Sequence, residues 1–189
     1  MKKILLALFV MCSALSFSAK VIKATDIEIK GNVVYEAGQS TAYTGVIETY
    51  NEKNVLEART EFKNGIQDGS SKIYFPNGKL SSEATFQNGK QVGPQKDYYE
   101  NGKLKIETTY KNGQQTGPAK AYDENGKLVT EFNLVNGKAE GLVKTYYPSG
   151  KLRTEENYKN DERNGLAKAY DENGNLVQQA TFQNGKQVK

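Results

Sequence analysis

Aromatic and apolar residues recur along most of the chain at a fixed interval of 24 residues. The interval is counted from a glycine that stands at position 1 of six consecutive units: Gly45, Gly69, Gly93, Gly117, Gly141 and Gly165. Position 6 is always Tyr, position 12 is always Leu, position 18 is Phe, Tyr or Leu, and position 20 is always Asn. Six units in one register, without an insertion, predict a repeat architecture.

Each unit has the pattern of a β-hairpin. Positions 8 to 10 are Pro-Asn-Gly, Glu-Asn-Gly or Pro-Ser-Gly in all units but the first, which is turn chemistry because Gly adopts positive φ without strain. The first unit has Asn54 in place of the turn Gly, which Asn tolerates. Positions 2 to 7 and 11 to 18 are the predicted strands. Asn at position 20, followed by Gly or by Asp161, starts the loop to the next unit.

The length of the turn decides which side chains share a face of the sheet. A three-residue turn sets position 6 opposite position 12 and gathers positions 6, 12, 16 and 18 into one apolar stripe. A two-residue turn sets position 4 opposite position 15. In units two to five these positions are Lys and Glu, which have opposite charges, and in the first unit they are Glu48 and Arg59, with the charges exchanged. We favour the three-residue turn, because Pro at position 8 would lose a ladder hydrogen bond in the alternative. A β-bulge would reconcile the two pairings.

The predicted fold is all-β: an elongated, single-layer antiparallel sheet of tandem 24-residue hairpins over residues 45–189, with N-terminal cap strands within residues 20–44. The composition agrees, since 37% hydrophobic residues and no Trp are little for a thick core, whereas 12 Tyr and 18 Gly suit strands and turns. Twelve strands spaced ~4.8 Å apart predict a rod ~58 Å long.

The N-terminal residues 1–19 have the plan of a secretory signal peptide: Lys2 and Lys3, an apolar run from Ile4 to Met11, and then small residues. A transmembrane anchor is the first alternative, but the apolar run is too short to span a bilayer. A lipoprotein signal is the second, but Met11 is bulky for the residue before Cys12. We therefore expect export, cleavage near residue 19, and a soluble periplasmic, cell-surface or secreted protein.

The available chemistry is narrow, because the chain has no His and its only cysteine is Cys12. Histidine-dependent nucleophiles and metal sites are thereby excluded, as are thiolate sites in a cleaved chain. The recurring carboxylates at position 15 are typical of solvated cross-strand charges, so we predict no catalytic residue, no cofactor and no metal. A carboxylate hydrolase is the remaining enzymatic alternative. Asp123 and Asp171 begin segments similar to calcium loops, but a strand follows at once, which favours plain turns.

Two sets of side chains are candidate partner contacts. The first is a row of position-4 lysines, ~10 Å apart if the hairpins stack: Lys72, Lys96, Lys120, Lys144 and Lys168. Such a row could bind anionic lipid or a polyanionic glycan, although pairing with neighbouring Glu is favoured. The second set is at position 7, where Phe75, Tyr99 and Tyr147 either contact a partner or pack against the turn. The formal net charge of +4, or +2 without Lys2 and Lys3, is too weak for a nucleic-acid partner.

The last strand, residues 176–183, is predicted to form an open sheet edge with no intrachain neighbour beyond it. Such edges accept an added strand from a partner. Replacing Thr181 with Pro should then weaken an edge-mediated complex. Unchanged affinity would leave the position-7 aromatics as the candidate contacts.

The repeat resembles a known family. Tyr-x-x-Asn-Gly-Lys-Leu followed by Tyr/Phe-x-Asn-Gly-x-x-x-Gly is similar to the MORN-repeat variant of bacterial YwqK-type proteins, over residues 45–188. Residues 33–45 resemble the half-unit that opens such proteins. The resemblance implies an antitoxin or immunity protein that neutralises a toxin by direct contact, but the signal sequence departs from it. Our leading prediction is an exported, non-enzymatic protein-binding or scaffold module of the bacterial envelope, and the antitoxin is the alternative.

Overall fold

The computed structural model describes residues 19–188, so the predicted signal segment up to residue 18 lies outside the described residues. Apart from a 3₁₀ turn at Ala24–Asp26, the regular elements of this range are strands. They are β1 Val21–Lys23, β2 Ile27–Lys30, β3 Val33–Glu36, β4 Gly45–Tyr50, β5 Leu56–Lys63, β6 Ile66–Tyr74, β7 Leu80–Gln87, β8 Lys90–Tyr98, β9 Leu104–Lys111, β10 Gln114–Tyr122, β11 Leu128–Val135, β12 Lys138–Ala139, β13 Gly141–Tyr146, β14 Leu152–Lys159, β15 Glu162–Tyr170, β16 Leu176–Gln183 and β17 Lys186–Gln187.

The repeat strands form one long sheet in chain order. The antiparallel order runs from β4 through β11 to β13 and on to β17, and the short β12 also pairs with β11. This confirms the predicted sheet of tandem hairpins. The N-terminal end differs from the prediction, because β1 joins β4 in parallel, with Ile22 opposite Ile47. The hairpin of β2 and β3 lies between β1 and β4 in the chain. It brings the chain back so that β4 runs in the same direction as β1, as a parallel pair requires.

Two kinds of tight turn connect the strands. Within a hairpin, the N–H of position 7 donates to the carbonyl of position 11, as in Tyr99 to Lys103 at 2.9 Å. Position 10 there has positive φ, including Asn54 at 58°. The predicted three-residue turn is therefore confirmed. Between hairpins, Asn112 and Gly113 both have positive φ, 53° and 82°, which defines a two-residue type I′ turn that is tighter than the predicted loop.

Every hairpin contains a β-bulge at position 13. In the third unit Tyr98 pairs with Leu104 and Asp97 pairs with Ile106, which leaves Lys105 without a partner. Beyond the bulge, position 4 faces position 15 in all six units, so both pairings that the sequence indicated occur together. The predicted apolar stripe is wrong, because an extra residue reverses the side-chain alternation and puts positions 16 and 18 on the opposite face from 6 and 12.

The sheet therefore has two distinct faces. Positions 4, 6, 12 and 15 lie on what we name the tyrosine face. Positions 3, 5, 14, 16 and 18 lie on the cap face, which is named for the N-terminal segment that packs on it. There, Ile22, Val34 and Tyr43 form a buried cluster with Ile47, and Phe62 packs against it. This cluster is the hydrophobic core of the first unit, and the sheet beyond it is a single layer.

The C-terminal edge is partly covered. Strand β17 pairs with β16 at Phe182 and Gln183, and the N–H of Val188 donates to the carbonyl of Thr181 at 2.8 Å. The prediction of an open edge is therefore wrong for residues 181–183. The reason is local, because Asn184 and Gly185 form the same two-residue turn as in the other units and send the chain back. Proline at Thr181 would disturb an intrachain pairing, so that substitution does not isolate the edge.

Candidate interaction surfaces

A ladder of alternating charges runs along the tyrosine face, one residue per strand. It is built from positions 4 and 15, which pair both within and between hairpins. Its members in spatial order are Glu48, Arg59, Lys72, Glu83, Lys96, Glu107, Lys120, Glu131, Lys144, Glu155, Lys168 and Gln179. The Nζ of Lys144 lies 3.8 Å from Glu131 Oε1, and that of Lys96 lies 4.0 Å from Glu107 Oε1. The row of lysines is thus interleaved with carboxylates, so it is not a continuous basic line.

The tyrosines at position 6 run beside this ladder and bond to it. The hydroxyl of Tyr98 donates to Glu83 at 2.7 Å, and the hydroxyl of Tyr146 donates to Glu131 at 2.6 Å. Burial, and then the carboxylate that accepts each hydroxyl, raises the pKa of both tyrosines to about 12. These bonds fix the rings on the sheet.

The raised pKa values predict a loss of stability at alkaline pH. The ordinary tyrosine pKa is about 10, so the unfolded chain loses these protons first as the pH rises. The stabilisation is complete below about pH 10 and declines as the pH rises towards about 12. We expect the urea midpoint to fall across this window, and to fall less in a Tyr98→Phe, Tyr146→Phe variant, which has no hydroxyl to titrate at these positions. An equal fall in both proteins would contradict this explanation.

The position-7 tyrosines contact the neighbouring hairpin. The hydroxyl of Tyr99 donates to the carbonyl of Tyr122, and that of Tyr147 donates to the carbonyl of Tyr170, both at 2.7 Å. A cationic side chain from position 13 lies over the Tyr99 ring, with Lys105 Nζ 5.6 Å from its centroid. Both tyrosines are half-buried. Their geometry is that of packing against a turn, which was one of the two alternatives.

Three other position-7 residues, Phe75, Asp123 and Asp171, do not make the hydroxyl contact of the two tyrosines. Phe75 is half-buried and has no hydroxyl to reach the next hairpin. Asp123 accepts the N–H groups of Asn125 and Lys127, both at 2.9 Å, and Asp171 bonds its own turn in the same way. The two segments that resembled calcium loops are therefore tight turns capped by their first carboxylate.

A shallow groove of about 110 Å³ lies on the cap face at units five and six. Arg163 crosses it, with Nε 2.8 Å from Glu156 Oε2 and the guanidinium carbon 5.1 Å from the centroid of Phe182. Ala167 and Ala180 form part of its wall. The sequence prediction missed this groove because it placed positions 16 and 18 on the wrong face. The Lys–Glu match between positions 4 and 15 was the signal that could have revealed it.

Neither a metal centre nor a membrane-spanning helix is present within residues 19–188. No group of three or more Asp, Glu, His or Cys side chains in that range is arranged to hold a metal ion. None of the helical segments in the same range is long and apolar enough to cross a membrane.

Comparison with known proteins identifies the repeat. Five segments match the family described as MORN repeat variant, at residues 67–88, 91–112, 115–136, 139–160 and 163–184, and together they make up more than half of the chain. No curated protein matches the chain significantly. One similar solved structure is a mutant of S. aureus TarM in complex with Fondaparinux, alpha-GlcNAc-glycerol and UDP. It is 15% identical with a TM-score of 0.34, and the alignment covers 58% of this chain and 21% of that chain.

Proposed function

The chain belongs to the MORN repeat variant family, and we propose that it is an exported, non-enzymatic scaffold protein of the bacterial envelope that binds a protein partner on its cap face. MORN repeats suggest a binding role. The chemistry of the sequence, without His and with its one cysteine in the predicted signal segment, supports binding over catalysis.

One observation carries the choice of surface: the chain already packs a polypeptide segment on its own cap face. At the first unit, Val34 and Tyr43 from this segment bury Ile47 and lie against Phe62. The same position 18 is buried at Leu134 in the fourth unit. It is half-buried in the other four later units, which have no such segment over them in the described part of the chain: Phe86, Tyr110, Tyr158 and Phe182. A partner that presents an extended segment with apolar side chains would bury them in the same way.

The surface can be tested by capture from envelope fractions with the mature chain as bait. A Phe86→Ala, Tyr158→Ala variant removes two rings of the cap face, and Tyr74→Ala, Tyr146→Ala is the matched control on the tyrosine face. We expect the cap-face variant to lose binding of the captured protein by about tenfold or more, and the control to keep it. Circular dichroism and urea unfolding must first show that both variants fold. Equal binding by both variants would contradict the assignment.

Export is tested separately by fractionation. The signal segment predicts that the cell contains a shortened chain beginning near residue 20 in the envelope or the medium. A full-length chain found only in the cytoplasm would contradict the envelope role but not the binding surface.

The alternative function is an antitoxin or immunity protein of the YwqK type. It is favoured by the likeness of the repeat pattern to that group, and the match to the MORN repeat variant agrees with it at the level of the repeat. Coexpression tests it: the product of a neighbouring gene should kill cells alone and be harmless together with this protein. Absence of such a gene pair would leave the scaffold function as the proposal.

A further inference from the structure

The tyrosine face has a strict period and no covering segment in the described residues. Its position-6 tyrosines form one row, and all of them are half-buried: Tyr50, Tyr74, Tyr98, Tyr122, Tyr146 and Tyr170. Each pairs with the Leu at position 12 of its own hairpin. Lys23 covers the first ring, with Nζ 5.3 Å from the centroid of Tyr50. We propose that the row from Tyr74 to Tyr170 binds an extended, uncharged β-1,4-linked glycan.

The spacing of the rings fits this ligand. Successive tyrosines stand on every second strand, so they lie about 10 Å apart along the sheet. In an extended β-1,4-linked chain, alternate sugars present the same face, and this disaccharide repeat has a similar length. A straight glycan could therefore place every second sugar over a tyrosine of one row, as bases stack on successive aromatic side chains in single-stranded nucleic-acid sites.

The rings are held in place before any ligand binds. The hydroxyls of Tyr98, Tyr146 and Tyr170 donate to ladder carboxylates at 2.7, 2.6 and 3.1 Å. An aromatic side chain that is already ordered loses little conformational entropy on binding. Flat rings with fixed positions suit the apolar faces of sugar rings, which carry axial C–H groups.

The charge pattern favours an uncharged ligand over a polyanion. The ladder contains six basic and five acidic residues, which alternate along most of its length. A polyanion would meet a carboxylate beside almost every lysine, such as Glu107 between Lys96 and Lys120. Sugar hydroxyls both donate and accept hydrogen bonds, so they can pair with ammonium and carboxylate groups in turn.

This inference is independent of the protein partner, because it concerns the opposite face of the sheet. The experiment measures binding of cellohexaose, chitohexaose and maltohexaose to the mature chain by calorimetry. We expect one of the β-1,4-linked hexasaccharides to bind at least about tenfold more tightly than its disaccharide, since it spans more rings. Maltohexaose, whose α-linkages curve the chain, should not bind. Cellohexaose and chitohexaose distinguish plain hexose from N-acetylated hexosamine.

Variants on the two faces complete the test. Tyr98→Ala should weaken binding by about tenfold, whereas Tyr98→Phe, which keeps the ring and loses only the bond to Glu83, should weaken it much less. Tyr110→Ala is the matched control, because its ring lies on the cap face. Failure of both β-1,4-linked hexasaccharides to bind, equal binding of maltohexaose, or equal loss in Tyr110→Ala would overturn the proposal. Preferential binding of a polyanion such as heparin would also overturn it.

Discussion

Replacing Gly65 with Ala should lower the free energy of unfolding by about 3 kcal/mol, because Gly65 lies at the contact between the N-terminal cap and the repeat sheet. Gly65 has a φ of 74°, and a Cβ there would lie 2.7 Å from the carbonyl oxygen of Val34 and in contact with Val33. Its backbone also accepts from the N–H of Val34 at 2.9 Å and donates to the carbonyl of Tyr43 at 2.7 Å. The side chain would therefore force the cap away from the sheet. Urea unfolding measures the loss.

The matched control is Gly113→Ala. Gly113 holds the same position 21 two units later and has a φ of 82°, and a Cβ there would meet no other atom within 4 Å. Its substitution adds only the strain of a left-handed Ala, about 1 kcal/mol. Equal losses in the two variants would mean that the cap does not dock on Gly65.

Deleting Thr108 alone should cost about 4 kcal/mol or more, because Thr108 is buried on the cap face just beyond the third bulge. Its loss reverses the alternation of the rest of the strand, so that Thr109 turns towards the cap face and the ring of Tyr110 turns towards the tyrosine face. We expect a lower urea midpoint and a broader transition.

Deleting Lys105 instead removes only the extra residue of the bulge and should cost far less. It leaves Leu104 opposite Tyr98 and Glu107 opposite Lys96.

Deleting a complete unit should also be far better tolerated than deleting Thr108. Removing residues 93–116 takes out 24 residues and joins Val92 to Gly117, which stands where Gly93 stood in the register. In a linear array the remaining units keep their neighbours, so the protein should fold with a shorter sheet. If the Thr108 deletion were tolerated as well as the loss of the complete unit, side-chain alternation beyond the bulge would not hold the strand in register.

Much of the hairpin could be predicted from sequence, because its determinants are local. Turn glycines at position 10 and Asn at position 20 occur where the backbone needs positive φ. The pairing of Tyr98 with Leu104 follows from the length of the first turn. The pairing of Lys96 with Glu107 was also visible as a charge match.

The bulge that reconciles these two pairings has no local signature in the sequence. Its residue at position 13 has no common chemistry from unit to unit, being Glu57, Ser81, Lys105, Val129, Arg153 and Val177. A bulge depends on backbone geometry across two strands, so no single side chain marks it. For this reason the predicted apolar stripe was wrong at positions 16 and 18, which lie on the other face of the sheet.

The N-terminal cap shows a second limit. Its strands are only three and four residues long and lie outside the 24-residue period, so they have no repeated pattern to align. The parallel pairing of Ile22 with Ile47 is set by tertiary packing on Val34 and Tyr43. Local sequence does not encode such a contact, whereas it does encode turns.

The most direct test of the extended, open sheet is a distance between two spin labels on the charge ladder, at Lys72→Cys and Lys168→Cys. Cys12, the only native cysteine, lies in the predicted signal segment and is replaced by Ser if it persists. The two positions are on β6 and β15, eight strand intervals apart in the sheet. The sheet predicts a backbone separation of about 38 Å, measured by pulsed electron paramagnetic resonance. A separation below about 20 Å would require the hairpins to fold back on one another and would contradict the single-layer sheet on which both proposed surfaces depend.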